Sequence, residues 1–166
     1  MMAMLLLAVL PLLLSACCFR LQGRVPLPAS LASTWIETED AQSDFVVDLK
    51  RALRASGAML AARREEATAV VRVERDELTE SVLSVSGRNL PREVELTYTV
   101  RLAVEGQGEG QGQGRTLLPS EEFAVSRDQS FAEEQLLAKE REQEILRAAL
   151  ARDLVGVVMR RLSSLP

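Results

Sequence analysis

Residues 94–104 read VELTYTVRLAV, and this stretch has the most regular pattern in the chain. An apolar side chain occupies every second position, and the residues between them are mostly polar, including Thr97, Thr99 and Arg101. Because successive side chains of a strand point to opposite faces, the pattern predicts a strand with one buried face and one wet face. An exposed sheet face or edge of this kind is available for a partner.

Other β regions lie on both sides of this strand. Ser33–Glu37 is predicted to be a short first strand, and Glu122–Ser126 a last one. The Val-rich region 68–85 is either one long bent strand or two short ones. The segment SGRNLP at 86–91 favours a turn, so Arg88 is predicted at a hairpin tip. The low-complexity stretch EGQGEGQGQG at 105–114 is predicted to be a flexible hairpin loop.

Two amphipathic helices complete the pattern. The first is capped by Ser43 or Asp44 and ends at Gly57, and the second runs from about Phe131 to Leu162. The second has one apolar stripe, formed by Leu136, Ile145, Leu146, Ala149, Leu150, Leu154, Val157, Val158 and Leu162. The order β-α-β-β-β-α predicts an α+β fold: a two-layer sandwich in which a mixed or antiparallel sheet of about four strands carries both helices on one face.

The N-terminus has the pattern of an export signal. An uncharged run at 3–14 leads into LSACC at 14–18 and is shorter than the roughly 20 residues that span a bilayer. The small residues before Cys17 are typical of a lipoprotein cleavage site, and the alternative is a buried N-terminal helix. We therefore expect a signal peptide over 1–16, a lipidated N-terminus and tether over 17–30, and one domain over 31–166.

Composition excludes several functions. The chain has no histidine and only two cysteines, Cys17 and Cys18, so we expect no disulfide framework, no metal site and no cofactor. No pair of carboxylates stands out from ordinary helix-surface charges, and we expect no catalytic residues and no enzyme activity. The net charge of -4 argues against a nucleic-acid partner.

Five segments in a fixed order carry a family resemblance: CCFRLQG at 17–23, LRASG at 53–57, SVSGRN at 84–89, EVELTYTV at 93–100 and LAKE at 137–140. Together they resemble the LptE family of lipopolysaccharide-assembly lipoproteins. The resemblance implies a two-layer α/β domain that plugs and supports the outer-membrane β-barrel LptD and binds lipopolysaccharide on its way to the outer leaflet. The family's lipopolysaccharide-binding positions correspond to Arg88 and Lys139.

The same resemblance implies a location. The protein would be anchored in the outer membrane by acyl chains on Cys17, on the periplasmic side and inside the LptD barrel. Several acyl chains on one cysteine would make this anchoring stable. One alternative stays open at this point: an outer-membrane lipoprotein that binds a different periplasmic ligand or a cell-wall component and has no barrel partner.

Overall fold

The computed structural model describes residues 26–88, 91–107, 114–130 and 136–166, with the backbone alone over 136–142. The expected signal peptide, the acylation site Cys17 and most of the Gly/Gln stretch (108–113) lie outside the described residues. The predicted helix start at Phe131 lies outside them as well.

The predicted α+β sandwich is confirmed, and its sheet has five strands where about four were expected. The strands are β1 (Ser33–Glu37), β2 (Met59–Leu60), β3 (Ala69–Val85), β4 (Pro91–Gly106) and β5 (Arg115–Ser130). Their order is β2-β1-β3-β4-β5, with β1 parallel to β2 and β3, and the other pairs antiparallel. The sheet is therefore mixed. The additional strand, β2, was missed because two residues are too few to show a periodicity.

Both helices pack on one face of the sheet, as predicted. Helix α1 spans Asp44–Ala55 and α2 spans Leu136–Ser163 among the described residues. The Ser43 hydroxyl accepts a hydrogen bond from Val46 N–H at 3.2 Å and caps α1. Gly57 ends α1 with a φ of 95°, and the following N–H, from Ala58, returns to the Leu53 carbonyl at 3.0 Å.

The Val-rich region forms one long strand, β3, in which the alternation of inward and outward side chains inverts halfway along. Before the irregularity at Glu74, Val71 and Val73 point into the core. After it, Asp76 and Leu78 occupy the helix side, because one extra residue inverts the alternation. A second irregularity lies at the same level of β5, between the residues paired with Leu102 and Val104. We call the part of the sheet that contains β3 up to Val73 the lower half, and the part from Arg75 to the β3–β4 turn the upper half.

The hydrophobic core fills the space between the sheet and the two helices. Its fully buried members include Phe45, Leu49, Leu53, Val71, Tyr98, Val100, Leu102, Leu118, Leu150, Leu154 and Leu162. The predicted alternation of β4 is confirmed, with Thr97 and Thr99 half-buried and Arg101 exposed on the opposite face. Beyond Leu78, no residue of β3 is buried. The end of β3 is therefore exposed, while Val94 and Leu96 of the neighbouring strand β4 stay buried on the helix side.

Candidate functional site

Three strand ends meet at the upper end of the molecule. Val85 pairs with Pro91 across the β3–β4 turn, and Glu93 pairs with Ser130 at the end of β5. Helix α2 starts shortly after β5, and Gln143 Nε2 donates to Glu80 Oε2 at 3.1 Å, which ties the first part of this helix to β3. We call this end the tip: residues 82–88, residues 91–93, Ser130 and the first turn of α2.

The structure brings the two predicted binding residues to the same end. Arg88 is exposed in the turn after β3, where its N–H donates to the Ser86 hydroxyl at 3.4 Å. Lys139 lies in the first described turn of α2, about 6 Å along the helix from Gln143. The predicted hairpin-tip position of Arg88 is thus confirmed, while no binding role is tested for either residue. Cys17 lies outside the described residues.

The tip also exposes aliphatic side chains. Val82, Leu83 and Val85 have exposed fractions of 52%, 52% and 54%. Ile145 of α2 is 64% exposed, so its predicted place on the buried stripe is wrong. Gln143 and Arg147 face the sheet in this part of α2, so Ile145, two residues from each, lies on the opposite side of the helix. Apolar strand residues normally lie inside, and their spacing in the sequence gave no sign of this exposure.

A cleft of about 360 Å³ opens on the helix side below the tip. It separates the first part of α2 from strands β3 and β4, and its lining residues are Leu78, Glu80, Leu96, Gln143, Glu144 and Arg147. Arg147 closes the lower end, because its Nε lies 2.9 Å from the Asp44 carboxylate at the start of α1. The cleft therefore combines two leucine side chains with charged groups.

A buried polar network supports the floor of this cleft. The Tyr98 hydroxyl, on a side chain only 1% exposed, donates to the Asp76 carboxylate and accepts from Phe45 N–H at the start of α1. Burial raises the pKa of Tyr98, and the hydrogen bond to Asp76 raises it further. Ser43 Oγ donates to the same carboxylate at 2.5 Å. This network fixes α1 to β3 and β4 directly below the tip.

The described residues show neither a metal-binding cluster nor a helix that could span a bilayer. Among residues 26–88, 91–107, 114–130 and 136–166, no cluster of His, Cys, Asp or Glu has a geometry that would hold a metal ion. No helix within the same ranges is both long enough and apolar enough to cross a bilayer. The feature that stands out among the described residues is the tip, which combines cationic and exposed aliphatic residues.

The fold and the tip define the class: a two-layer α+β domain with an amphipathic end and no sign of catalytic groups among the described residues. Comparison of the sequence with protein-family models gives a match over residues 31–162 to the family LptE, described as lipopolysaccharide-assembly. The chain belongs to this family, and the predicted family is confirmed; four of the five segments lie within the matched residues, and the segment at 17–23 lies before them. Membership implies a role in lipopolysaccharide assembly, in a family that is not enzymatic.

Solved structures share the fold at low sequence identity. A lipoprotein B from Nitrosomonas europaea is 24% identical with a TM-score of 0.68, over 88% of this chain and 90% of its own. A minor lipoprotein from Acinetobacter baumannii is 21% identical with a TM-score of 0.67, over 85% and 97%. The rare lipoprotein B from Shewanella oneidensis is 21% identical with a TM-score of 0.65, over 80% and 94%. No protein with a curated description matches the sequence.

Proposed function

We propose that this protein is an outer-membrane lipoprotein, anchored through acylated Cys17, that plugs and supports the LptD β-barrel and binds lipopolysaccharide at its tip. It would lie on the periplasmic side, inside the barrel. The family supports the general role. The observation that carries the specific proposal is the amphipathic tip, because Arg88 and the Lys139 backbone position lie at the same end of the molecule as exposed Val82, Leu83 and Val85.

This combination fits the chemistry of a phosphorylated, multiply acylated lipid. Arg and Lys form charge-assisted contacts with phosphate oxygens, and Arg does so with two parallel donors. Exposed aliphatic groups contact acyl chains and remove apolar surface from water, at about 25 cal/mol per Å². A ligand with both groups engages the cations and the aliphatic side chains together, whereas a purely polar ligand engages only the cations.

Binding of lipopolysaccharide tests the role of the two cations. In a pull-down with immobilised lipopolysaccharide, we expect Arg88→Ala combined with Lys139→Ala to bind roughly tenfold more weakly, at up to about 1 kcal/mol per exposed contact. The matched control is Arg152→Ala with Arg160→Ala, which removes the same charge from exposed positions nearer the other end of α2. Equal binding by both double variants would remove Arg88 and Lys139 from the site.

The aliphatic part of the tip has its own test. We expect Leu83→Asn to weaken lipopolysaccharide binding with little change in stability, because the side chain is half exposed. Met59→Asn is the control, since Met59 is 69% exposed on the edge strand β2, away from the tip. If the two variants bind equally well, acyl chains do not contact the tip.

The barrel partner is tested in the native membrane. A photoreactive amino acid at position 88 in whole cells is expected to crosslink to a large outer-membrane β-barrel and to lipopolysaccharide, and the mature protein is expected to copurify with that barrel. A matched photoreactive group at position 160 reports on the opposite part of α2. Recovery of the protein only as a lone monomer from solubilised outer membranes would contradict the role as a barrel plug and favour the lipoprotein without a barrel partner.

A further inference from the structure

Strand β1 has an edge that its neighbour covers only in part. β2 pairs with β1 at Ser33 and Thr34 alone, although β1 continues to Glu37. Within the described residues, the last backbone hydrogen bond on this side runs from Ala61 N–H to the Thr34 carbonyl at 3.0 Å. In a strand, alternate residues direct their N–H and C=O to the same side. Ile36 therefore directs both groups to the side where β2 has ended.

A groove of about 500 Å³ runs along this open edge. One wall is segment 34–38, which is most of β1 and the residue after it, and the other is formed by α1 and the end of β2. Ile36 and Leu60, both half-buried, contribute apolar surface to it. The groove therefore offers what an added strand requires, namely backbone partners along one side and room beside them for side chains.

The α1 wall of the groove is cationic. Lys50 and Arg54 are one helical turn apart and both line the groove. Lys50 Nζ donates to the Ala41 carbonyl at 3.3 Å, and neither cation forms an ion pair with a carboxylate of the described residues. The third cation of α1, Arg51, forms an ion pair with Asp48 of the same helix.

The acidic residues near the groove do not neutralise this wall. The Glu37 carboxylate contacts the guanidinium groups of Arg64 and Arg72, which also contact Glu105 on the face away from the helices. Asp40, in the loop after β1, accepts a hydrogen bond from Gln42 N–H at 2.9 Å. The charge facing an incoming strand from α1 is therefore positive.

We propose that this groove binds an extended, acidic segment of a partner polypeptide, which adds to the sheet as a strand beside β1. The backbone of the added strand pairs with Ile36, and its carboxylates on the helix side contact Lys50 and Arg54. Backbone pairing supplies affinity, and the two cations select acidic sequences over basic ones. The site lies on β1 and α1, separate from the tip, so it extends beyond the lipopolysaccharide-binding role proposed above.

Synthetic peptides test this inference without the barrel or lipopolysaccharide. The probe is a blocked eight-residue peptide that alternates valine with glutamate, added to ¹⁵N-labelled mature chain and followed by amide chemical shifts. We expect the amides of Ile36 and Thr38 to shift and Ile36 to become protected from hydrogen exchange. A valine–lysine peptide is expected to bind roughly tenfold more weakly, and Lys50→Glu with Arg54→Glu to reverse the preference. Arg152→Glu with Arg160→Glu is the charge-matched control.

Methylated peptides distinguish strand addition from simple anion binding. Methyl groups on every second backbone nitrogen block one edge of the peptide, so one set of positions is expected to abolish binding and the alternate set to preserve it. Equal binding by both sets overturns strand addition. Displacement of the acidic peptide by soluble dihexanoyl phosphatidylglycerol would make the groove a lipid-headgroup site instead, and shifts confined to residues outside 34–38 would refute the location. None of these outcomes depends on whether the barrel or lipopolysaccharide binds.

Discussion

Replacement of Tyr98 by phenylalanine tests the network that joins α1 to the sheet. The substitution keeps the buried ring and removes only the hydroxyl, which donates to Asp76 and accepts from Phe45 N–H. The variant therefore leaves a buried backbone N–H without its acceptor and a carboxylate with one donor fewer. Ser43 remains as a donor to Asp76 at 2.5 Å.

The expected loss of stability follows from these two contacts. A hydrogen bond to a charged acceptor contributes about 1.5–3 kcal/mol, and an unsatisfied buried donor costs about 1–3 kcal/mol. Because the two contacts share one hydroxyl and the site can relax, we expect Tyr98→Phe to lower the free energy of unfolding by about 2–3 kcal/mol. For a domain of this size, that corresponds to a decrease in Tm of roughly 7–10 °C.

The same residue makes stability depend on alkaline pH. Burial and Asp76 raise the pKa of Tyr98 above its ordinary value of about 10, so the folded state favours the neutral phenol. Because folding raises the pKa of Tyr98, its contribution to the free energy of unfolding is fully present at pH values below the pKa of the unfolded state. The free energy of unfolding should therefore decrease as the pH rises above about 10, and the Tyr98→Phe variant should lack this component.

The chain offers a direct assay, because Tyr98 is its only tyrosine. Near-UV absorbance of the phenolate reports this one side chain, and urea denaturation at several pH values gives the free energy of unfolding. We expect the phenolate in urea-unfolded protein to form at about pH 10, and in native protein only at higher pH. Phenolate formation at about pH 10 with the fold intact, or a loss in Tyr98→Phe below about 0.5 kcal/mol, would refute the network's role.

Three further substitutions, with Gly87→Ala as a control, are measured by urea denaturation. Gly57→Ala should lose about 1–2 kcal/mol because its φ of 95° strains a side chain, whereas Gly87→Ala, which meets no heavy atom within 4 Å, should lose little. Leu154→Ala should lose about 2–5 kcal/mol, since Leu154 is fully buried, and a smaller loss would contradict its place in the core. Arg161→Ala, whose Nε lies 3.0 Å from the carboxylate of half-buried Glu121, should lose less than about 1 kcal/mol.

The parts of the fold that the sequence predicted are those governed by local pattern. The alternation at 94–104 identified β4, and Ser43 and Gly57 bounded α1 because a cap and a left-handed stop are local devices. β2 was missed, since its two residues form a strand only through their pairing with Ser33 and Thr34. Nothing within Met59–Leu60 itself carries that information.

The remaining differences have tertiary causes. β5 extends over Arg115–Ser130, well beyond the predicted Glu122–Ser126, because Pro119 and an irregularity interrupt the alternation of this edge strand. For the candidate site, the turn at Arg88 was predictable from Gly and Pro, whereas the exposure of Val82 and Leu83 was not. Their apolar character suggested burial, and only the three-dimensional structure shows that both side chains are exposed.

The mixed order of the sheet also sets the order in which its strands can form. The three long strands β3, β4 and β5 are consecutive and antiparallel, so each pair grows from its own connection. β1 instead pairs in parallel with β3 through Thr34 and Ala69, which closes a long loop that contains α1. Local pairings form faster than distant ones. We therefore expect β1 to dock last, so that the strand nearest the proposed membrane anchor completes the folding of the domain.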